Sequence, residues 1–229
     1  MSNAPQPLSR RGLCLILSSP SGAGKTTLAR LLLESESQLA HSISVTTREP
    51  RPRETEGVDY YFVSPEQFEA LRVAGDLLEW AEVFGNFYGT PAQPVRQMLA
   101  EGSDIVFDVD WQGAASIASH LPDDTVRVFI LPPSAEELSR RIYQRNSDSK
   151  AVIEARLKSA AAEISHWSEY DYVIVNHDIG ESLAALRGIL HAERQRRHRQ
   201  PGLAALVLSL TSGAPRERAR GAGQDDGRA

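Results

Sequence analysis

Four short runs of apolar residues, rich in Val, Ile, Leu and Phe, organise most of the chain. They are GLCLILSS (12–19), DIVFDVD (104–110), TVRVFILPP (125–133) and DYVIVN (171–176). After each run, apolar positions recur at the spacing that places them on one face of a helix. Continuous apolar strands alternating with helices are typical of a parallel sheet covered on both faces. The pattern therefore predicts a three-layer α/β domain with a parallel core sheet.

The segment 41–90 has a different texture from the rest of the chain. It is rich in aromatic residues, is interrupted by Pro and Gly, and shows short alternating strands around one helix. We expect it to be a small mixed α+β insert that packs over the strand tips of a core made by 11–40 and 91–200. The polar stretch RNSDSK (145–150) lies between two helical patterns and predicts the hinge of a mobile flap, a helical lid over about 141–160.

The two ends of the chain differ from the predicted domain at 11–200. Residues 1–10 show no periodicity, which indicates a flexible lead-in. In the extension 201–229, QPGLAALVLSL (200–210) fits a final strand or helix on the core, or a segment that covers a partner subunit. The low complexity beyond 211 predicts disorder. The sequence leaves the oligomeric state open, with a homodimer as one option.

Composition excludes some functions but selects none. The 229 residues are 41% hydrophobic, which is enough for one folded domain. The single cysteine, Cys14, cannot form an internal disulfide, and neither a leader peptide nor a long apolar run is visible, so we expect a soluble, cytoplasmic protein. A net charge of -5 gives no global reason to bind nucleic acid or an anionic membrane.

A phosphate-binding loop is predicted by SSPSGAGKTTL (18–28), which fits the pattern G-x-x-x-x-G-K-[ST] except that Ser19 replaces the first glycine. A small residue serves at that position if its φ is negative. The strand before the loop and the helix after it direct backbone N–H groups at one anion. The predicted nucleotide-binding residues here are Ser21, Gly22, Ala23, Gly24, Lys25, Thr26 and Thr27.

Lys25 and Thr26 have distinct predicted roles in the loop. Lys25 would bridge the β- and γ-phosphates, and Thr26 would offer its hydroxyl to Mg²⁺. The chain has only three lysines among its 25 basic residues, so a lysine at this position is an exception to its use of arginine. A compact ammonium fits between two phosphates where a planar guanidinium does not.

Two aspartates end the run DIVFDVD. Asp108 and Asp110 are two residues apart, which in a strand places them on one face at the carboxyl tip. Burying two carboxylates there without partners is costly, which favours a ligand or metal role. Asp108 is the predicted metal ligand, together with Thr26.

The insert supplies groups for a phosphorylated acceptor. Arg48, Arg51, Tyr60 and Tyr88 offer two guanidiniums and two phenolic hydroxyls, which suit a dianionic phosphate monoester. Glu79, in LLEWAE, could accept both N–H donors on the Watson–Crick edge of guanine, which adenine lacks. Ser44 or Thr90 could donate to guanine O6. These residues predict a guanine-selective site.

At these residues the sequence resembles the guanylate kinase family. SSPSGAGKTTL, SVTTREPRPRE, G-x-DYYF, LLEWAEVFGNFYGTP and DVDWQGA follow the order and spacing of the signatures of that family, and the resemblance covers about 11–195. It implies a nucleoside monophosphate kinase fold with a GMP-binding insert. The resemblance also implies that Arg145 and Arg156 close on the ATP phosphates, that Asn176 lies by the adenine, and that Asp110 joins the guanine readers.

The expected activity is therefore ATP + GMP ⇌ ADP + GDP with Mg²⁺, and dGMP is a further acceptor to expect. Two alternatives remain at this point. Guanylate-kinase-like domains also occur as non-catalytic modules that bind peptides, although such modules would be expected to lack parts of the Lys-Thr loop or the phosphate cradle. A related kinase with another phosphorylated acceptor is the second alternative.

Overall fold

The computed structural model describes residues 9–145 and 150–212, except the side chains of 145 and 150–156. The strands are β1 (Cys14–Ser18), β2 (Leu39–His41), β3 (Ser44–Thr46), β4 (Tyr60–Phe62), β5 (Leu77–Val83), β6 (Asn86–Pro91), β7 (Asp104–Asp108), β8 (Thr125–Leu131) and β9 (Tyr172–Val175). The helices are α1 (Lys25–Ser35), α2 (Pro65–Ala74), α3 (Ala92–Ala100), α4 (Trp111–His120), α5 (Ala135–Arg145), α6 (Lys150–Ile164), α7 (Ile179–Arg194) and α8 (Leu203–Ser212).

The core sheet is parallel throughout its described strands, in the order β2-β7-β1-β8-β9. The four apolar runs of the sequence become β1, β7, β8 and β9, as predicted. Strand β2 was not predicted, because its three residues are too short to show a period. β1 lies in the centre, and all five of its residues are buried.

Helices cover both faces of this sheet, which confirms the three-layer prediction. Because side chains of a strand alternate between faces, β1 contributes to two separate cores. Leu15 and Leu17 belong to the cluster that includes residues of α1 and α7. Cys14 and Ile16 belong to the cluster that includes residues of α3 and α4.

A second sheet, in the order β4-β3-β6-β5, confirms the prediction of a small mixed insert. β3 is parallel to β4 and antiparallel to β6, and β5 is antiparallel to β6. Helix α2 covers it, and the rings of Phe68 and Phe87 stack with centroids 5.3 Å apart. The insert contacts the core where the Ser116 hydroxyl of α4 donates to the Leu78 carbonyl of β5 at 2.6 Å.

Helices α5 and α6 pack against each other through Leu138, Ile142 and Ala160. The predicted hinge at 145–150 falls largely on residues 146–149, which lie outside the described part of the chain.

In the C-terminal extension, α8 shows that the first part is a helix rather than a strand. The disorder predicted beyond 211 concerns mainly residues 213–229, which the structure does not describe. Among the described helices, none has the length and hydropathy needed to cross a membrane.

Two buried carboxylates tie α7 to the amino side of the core. Asp104, at the start of β7, accepts hydrogen bonds from Arg10 at 2.6 and 2.9 Å and from Arg194 Nε at 2.7 Å. Glu36, at the end of α1, accepts from Arg187 and Arg194 at 3.0 and 2.8 Å. Buried charges of this kind are tolerable because they are paired and hydrogen-bonded.

The pKa of Glu36 reports on this ion-pair network. Burial by itself would raise the pKa, but hydrogen bonds from Arg187, Arg194 and His191 outweigh burial and lower it to about 2. A carboxylate with a depressed folded-state pKa stabilises the fold above its unfolded-state value, and this stabilisation disappears as the pH falls through the folded-state value.

We predict that Glu36→Gln removes a pH-dependent part of the stability. Between pH 4.5 and pH 2, the free energy of unfolding of the natural chain should fall by about 1–3 kcal/mol more than that of the variant. Urea unfolding at several pH values measures this difference. Glu34→Gln is the control, because Glu34 forms an exposed i,i+4 pair with Arg30 and no other ion pair with the side chains that the structure describes. Parallel pH profiles for the natural chain and Glu36→Gln would contradict the role assigned to Glu36.

Candidate active site

The phosphate loop connects β1 to α1, as the motif predicts. Gly22 and Gly24 have φ of 94° and 103°, a left-handed region that favours glycine. At Gly24 an added Cβ would also lie 2.5 Å from Asn176 Nδ2. Both the backbone conformation and this close contact therefore disfavour any side chain at the position. Phe84 is the single non-glycine residue with positive φ in the described ranges, so Ser19 has the ordinary backbone that its mismatch requires.

Lys25, Thr26 and Asp108 form one cluster at the carboxyl end of the core sheet. The Lys25 ammonium pairs with Asp108 Oδ1 and donates to the Val109 carbonyl at 3.1 Å. The Thr26 hydroxyl donates to Asp108 Oδ2 at 3.1 Å. Asp108 is thus shared by the two side chains predicted to meet phosphate and metal.

The sequence-based placement of Asp110 was wrong in one respect. β7 ends at Asp108, and Asp110 is the N-cap of α4, where its carboxylate accepts from the Gly113 N–H at 2.8 Å. A residue with an N-cap carboxylate has left the strand, so the two aspartates do not share a strand face. Both nevertheless line one cavity.

Two cavities adjoin the phosphate loop. The first, of about 290 Å³, is lined by loop residues and by Lys25, Thr26, Asp108, Asp110, Trp111 and Glu163, among others. The second, of about 390 Å³, is lined by Gly22, Gly24, Thr27, Arg141, Gln144, Asn176 and Ile179. Their shared glycines indicate that a phosphate chain on the loop could continue into either space.

Asn176 is committed to the loop itself. Its Nδ2 donates to the Ala23 carbonyl at 2.8 Å, and its Oδ1 accepts from the Ser182 hydroxyl at 2.9 Å. The side chain is buried and fixes the backbone of the loop. Its position in the second cavity is compatible with the adenine contact that the resemblance implies.

Arg141 is a site residue that sequence reasoning missed. Its Nε donates to Glu137 Oε1 at 2.6 Å, and its Nη1 lies 3.5 Å from the Ala23 carbonyl. In the sequence it is one of several arginines in α5, and nothing marks it out there. The side chains of Arg145 and Arg156, which are predicted to close on the ATP phosphates, lie outside the described residues, so their roles remain predictions.

The insert brings the predicted phosphate cradle together only in part. The Arg48 guanidinium lies 5.4 Å from the Tyr60 ring centroid, and the Tyr60 and Tyr88 rings meet edge to face at 6.0 Å. The Arg51 side chain is exposed, and its backbone N–H donates to Glu54 at 2.8 Å.

Glu54 is a second residue that the sequence analysis missed. Its carboxylate accepts from Arg48 Nη2 at 2.8 and 3.0 Å, so one anion holds Arg48 and the backbone of Arg51 together. The hydrogen bonding between Glu54 and the Arg48 guanidinium is the main cause of the raised pKa of Arg48. The carboxylate engages the same arginine that is predicted to hold a phosphate.

Two of the residues predicted to read the base lie opposite each other in the insert sheet. Glu79 of β5 pairs in register with Thr90 of β6, and the Thr90 hydroxyl donates to Glu79 Oε1 at 2.6 Å. Ser44 lies half-buried on β3, in register with Tyr60. Burial raises the pKa of Glu79; the hydrogen bond from Thr90 lowers it in part, and the negative charge of Asp110 raises it again.

Asp110 therefore links the two halves of the site. It lines the cavity of the phosphate loop, and it is close enough to Glu79 to influence the ionisation of that carboxylate. The hydrogen bond from Ser116 of α4 to Leu78, the residue before Glu79, fixes β5 against the same helix that Asp110 caps.

Comparisons with known proteins agree with these motifs. The family model for guanylate kinase matches residues 11–193. A guanylate kinase of Rhizobium johnstonii is 51% identical over 213 residues, which cover 93% of this chain and 97% of the relative. One of Mesorhizobium japonicum is 56% identical over 201 residues, which cover 88% and 92%.

A solved structure is also similar. The crystal structure of guanylate kinase from Anaplasma phagocytophilum matches with a TM-score of 0.68 and 44% sequence identity, over 88% of this chain and 96% of the other. On the family model, the relatives and this fold, the chain belongs to the guanylate kinase family.

Proposed function

We propose that the protein transfers the γ-phosphoryl group of ATP to GMP, giving ADP and GDP. The observation that carries the proposal is the position of Asp110, which lines the phosphate-loop cavity and caps α4, the helix whose Ser116 hydroxyl bonds the insert at Leu78, next to Glu79. Membership of the guanylate kinase family supports the same reaction.

The donor phosphates would bind the loop. Its backbone N–H groups and the start of α1 attract an anion, and the Lys25 ammonium would bridge the β- and γ-phosphates. The Lys25 ammonium is already held beside the loop by Asp108 and the Val109 carbonyl. When ATP binds, the ammonium would exchange these partners for phosphate oxygens without a large movement of the side chain.

Thr26 and Asp108 fit a Mg²⁺ ion bound with the nucleotide. A hydroxyl and a carboxylate are the oxygen ligands that this ion prefers, and the two groups are in contact in the first cavity. Such an ion would neutralise charge on the phosphate oxygens.

The acceptor would lie in the insert. Arg48, Arg51, Tyr60 and Tyr88 would hold its phosphate, and Glu79 would accept the two N–H groups of the guanine edge. Because the single hydroxyl proton of Thr90 is donated to Glu79, Ser44 is the better donor for guanine O6.

The transfer itself needs positioning more than proton chemistry. A bond forms between the γ-phosphorus and an oxygen of the GMP phosphate while the bond to the β,γ-bridging oxygen breaks, and ADP leaves with that electron pair. The attacking oxygen is already an anion, so no strong general base is required. Lys25, with arginines of α5 and α6, would stabilise the charge of the transferred group.

Lys25→Ala tests the donor half of the site. We expect the turnover number to fall by about 10²-fold or more, because the charge nearest the transferred group is lost. GMP binding, measured by calorimetry, should change by less than about twofold, because Lys25 lies on the core rather than on the insert. Lys158→Ala, an exposed lysine of α6, is the matched control. A Lys25→Ala enzyme near full activity would refute the role.

Glu79→Gln tests the acceptor half. A glutamine presents an N–H₂ group where guanine also presents donors, so kcat/KM for GMP should fall by about 10- to 100-fold. The preference for GMP over AMP should shrink with it. A coupled assay across nucleoside monophosphates measures both quantities, with Glu82→Gln, an exposed residue of the same strand, as control. An unchanged GMP preference would show that the base is read elsewhere.

The raised pKa of Glu79 predicts a pH effect on GMP binding. Only the ionised carboxylate accepts both guanine N–H groups, so affinity should fall as acidification protonates it. Because burial raises the pKa of Glu79, this fall should begin at a higher pH than an ordinary glutamate would give. Calorimetric titration of GMP over a pH series measures it, and the same series on Glu79→Gln should keep only the fall that comes from protonation of the GMP phosphate. The difference between the two profiles reports Glu79.

A further inference from the structure

A carboxylate lies on the phosphate loop itself. Glu163, near the end of α6, accepts a hydrogen bond from the Ser21 backbone N–H through Oε2 at 3.3 Å, and its Oε1 lies 3.5 Å from the Ser159 hydroxyl. The side chain lines the same cavity as Lys25 and Thr26. An anionic side chain thus uses a donor of a loop that is suited to bind anions.

The position of Glu163 is built into the fold. Leu157, Ala160 and Ile164, on the same stretch of α6, pack against α5. Just beyond the helix, the His166 ring stacks on Trp111 with centroids 3.8 Å apart and planes 10° apart. His166 Nδ1 lies 2.7 Å from Glu169. These contacts anchor the chain on both sides of Glu163, so the carboxylate is held beside the loop.

This carboxylate and a bound phosphate compete. The Ser21 amide has one proton, which cannot serve two acceptors at full strength. A phosphate on the loop would also approach a like charge, and the repulsion in a partly buried cavity exceeds that in water. The cavity already holds Asp108 and Asp110 against the single ammonium of Lys25 among its lining residues in the described chain, so Glu163 adds to an unfavourable field.

We propose that Glu163 is a specificity-determining residue for the donor: it acts as an internal anion on the loop that an incoming phosphate chain must displace. A ligand with several phosphate contacts offsets the displacement, whereas a small anion does not. Glu163 thereby lowers the affinity of the loop for all anions and leaves it selective for the nucleotide. This inference rests on the proposed binding of ATP to the loop.

Calorimetry with ADP and with inorganic pyrophosphate tests the proposal on the full chain. Glu163→Gln keeps a hydrogen-bond acceptor and removes the charge, so both ligands should bind about 3- to 10-fold more tightly. Pyrophosphate should gain by a larger factor than ADP, because ADP has contacts beyond the loop; equal gains would contradict a role in specificity. GMP affinity should stay within about twofold, because GMP binds the insert. Glu101→Gln, which removes an exposed charge at the end of α3, should leave all three affinities unchanged.

Glu163→Ala provides a second variant that removes the acceptor as well, and it should bind ADP at least as tightly as Glu163→Gln. Thermal unfolding of each variant checks that the fold is retained. Unchanged or weaker ADP and pyrophosphate binding in both variants would overturn the proposal. Failure of the natural chain to bind ADP at all would instead overturn the proposed function, so the two failures are distinguishable.

Discussion

The burial of β1 between two parallel neighbours is the constraint on which the site depends. All five of its residues are buried, and its two faces contribute to separate hydrophobic clusters. A shift of its register would therefore disrupt packing on both faces of the sheet. Its carboxyl end therefore delivers the phosphate loop to a fixed place beside the end of β7, where Asp108 lies. The position of the phosphate loop relative to Asp108 therefore depends on side-chain packing in the core beneath the loop.

The strand register of the insert determines where Glu79 lies relative to the core. Pairing of β5 with β6 places Glu79 opposite Thr90, and a slip of one residue would turn Glu79 to the other face. The contact of β5 with α4 brings the same strand close to Asp110. The insert sheet thus carries Glu79, and the helix that follows β7 begins at Asp110, so the junction between insert and core has a carboxylate from each side.

Much of this arrangement could be predicted from the sequence, because the relevant signals are local. Buried parallel strands show as continuous apolar runs, and the loop glycines are demanded by backbone conformation at Gly22 and Gly24. Signals that arise only from tertiary contact could not be seen. β2 is too short to have a period, Asp110 proved to be a helix cap, and Arg141 and Glu163 lie in helices where charged residues are common. Arg141 and Glu163 matter because the fold places them against the phosphate loop, which lies far from both in the sequence.

The ion-pair network around Glu36 and Asp104 has a consequence for how the chain folds during synthesis. Its acidic members lie early in the sequence, whereas Arg187, His191 and Arg194 come more than 80 residues after Asp104. The outer strand β9 is equally late. A nascent chain leaving the ribosome therefore carries Glu36 without its cationic partners until α7 emerges, whereas Asp104 can already pair with Arg10. The edge of the core sheet also stays open until β9 is made, so the chain is most exposed to misfolding and most dependent on chaperones before these late elements are complete.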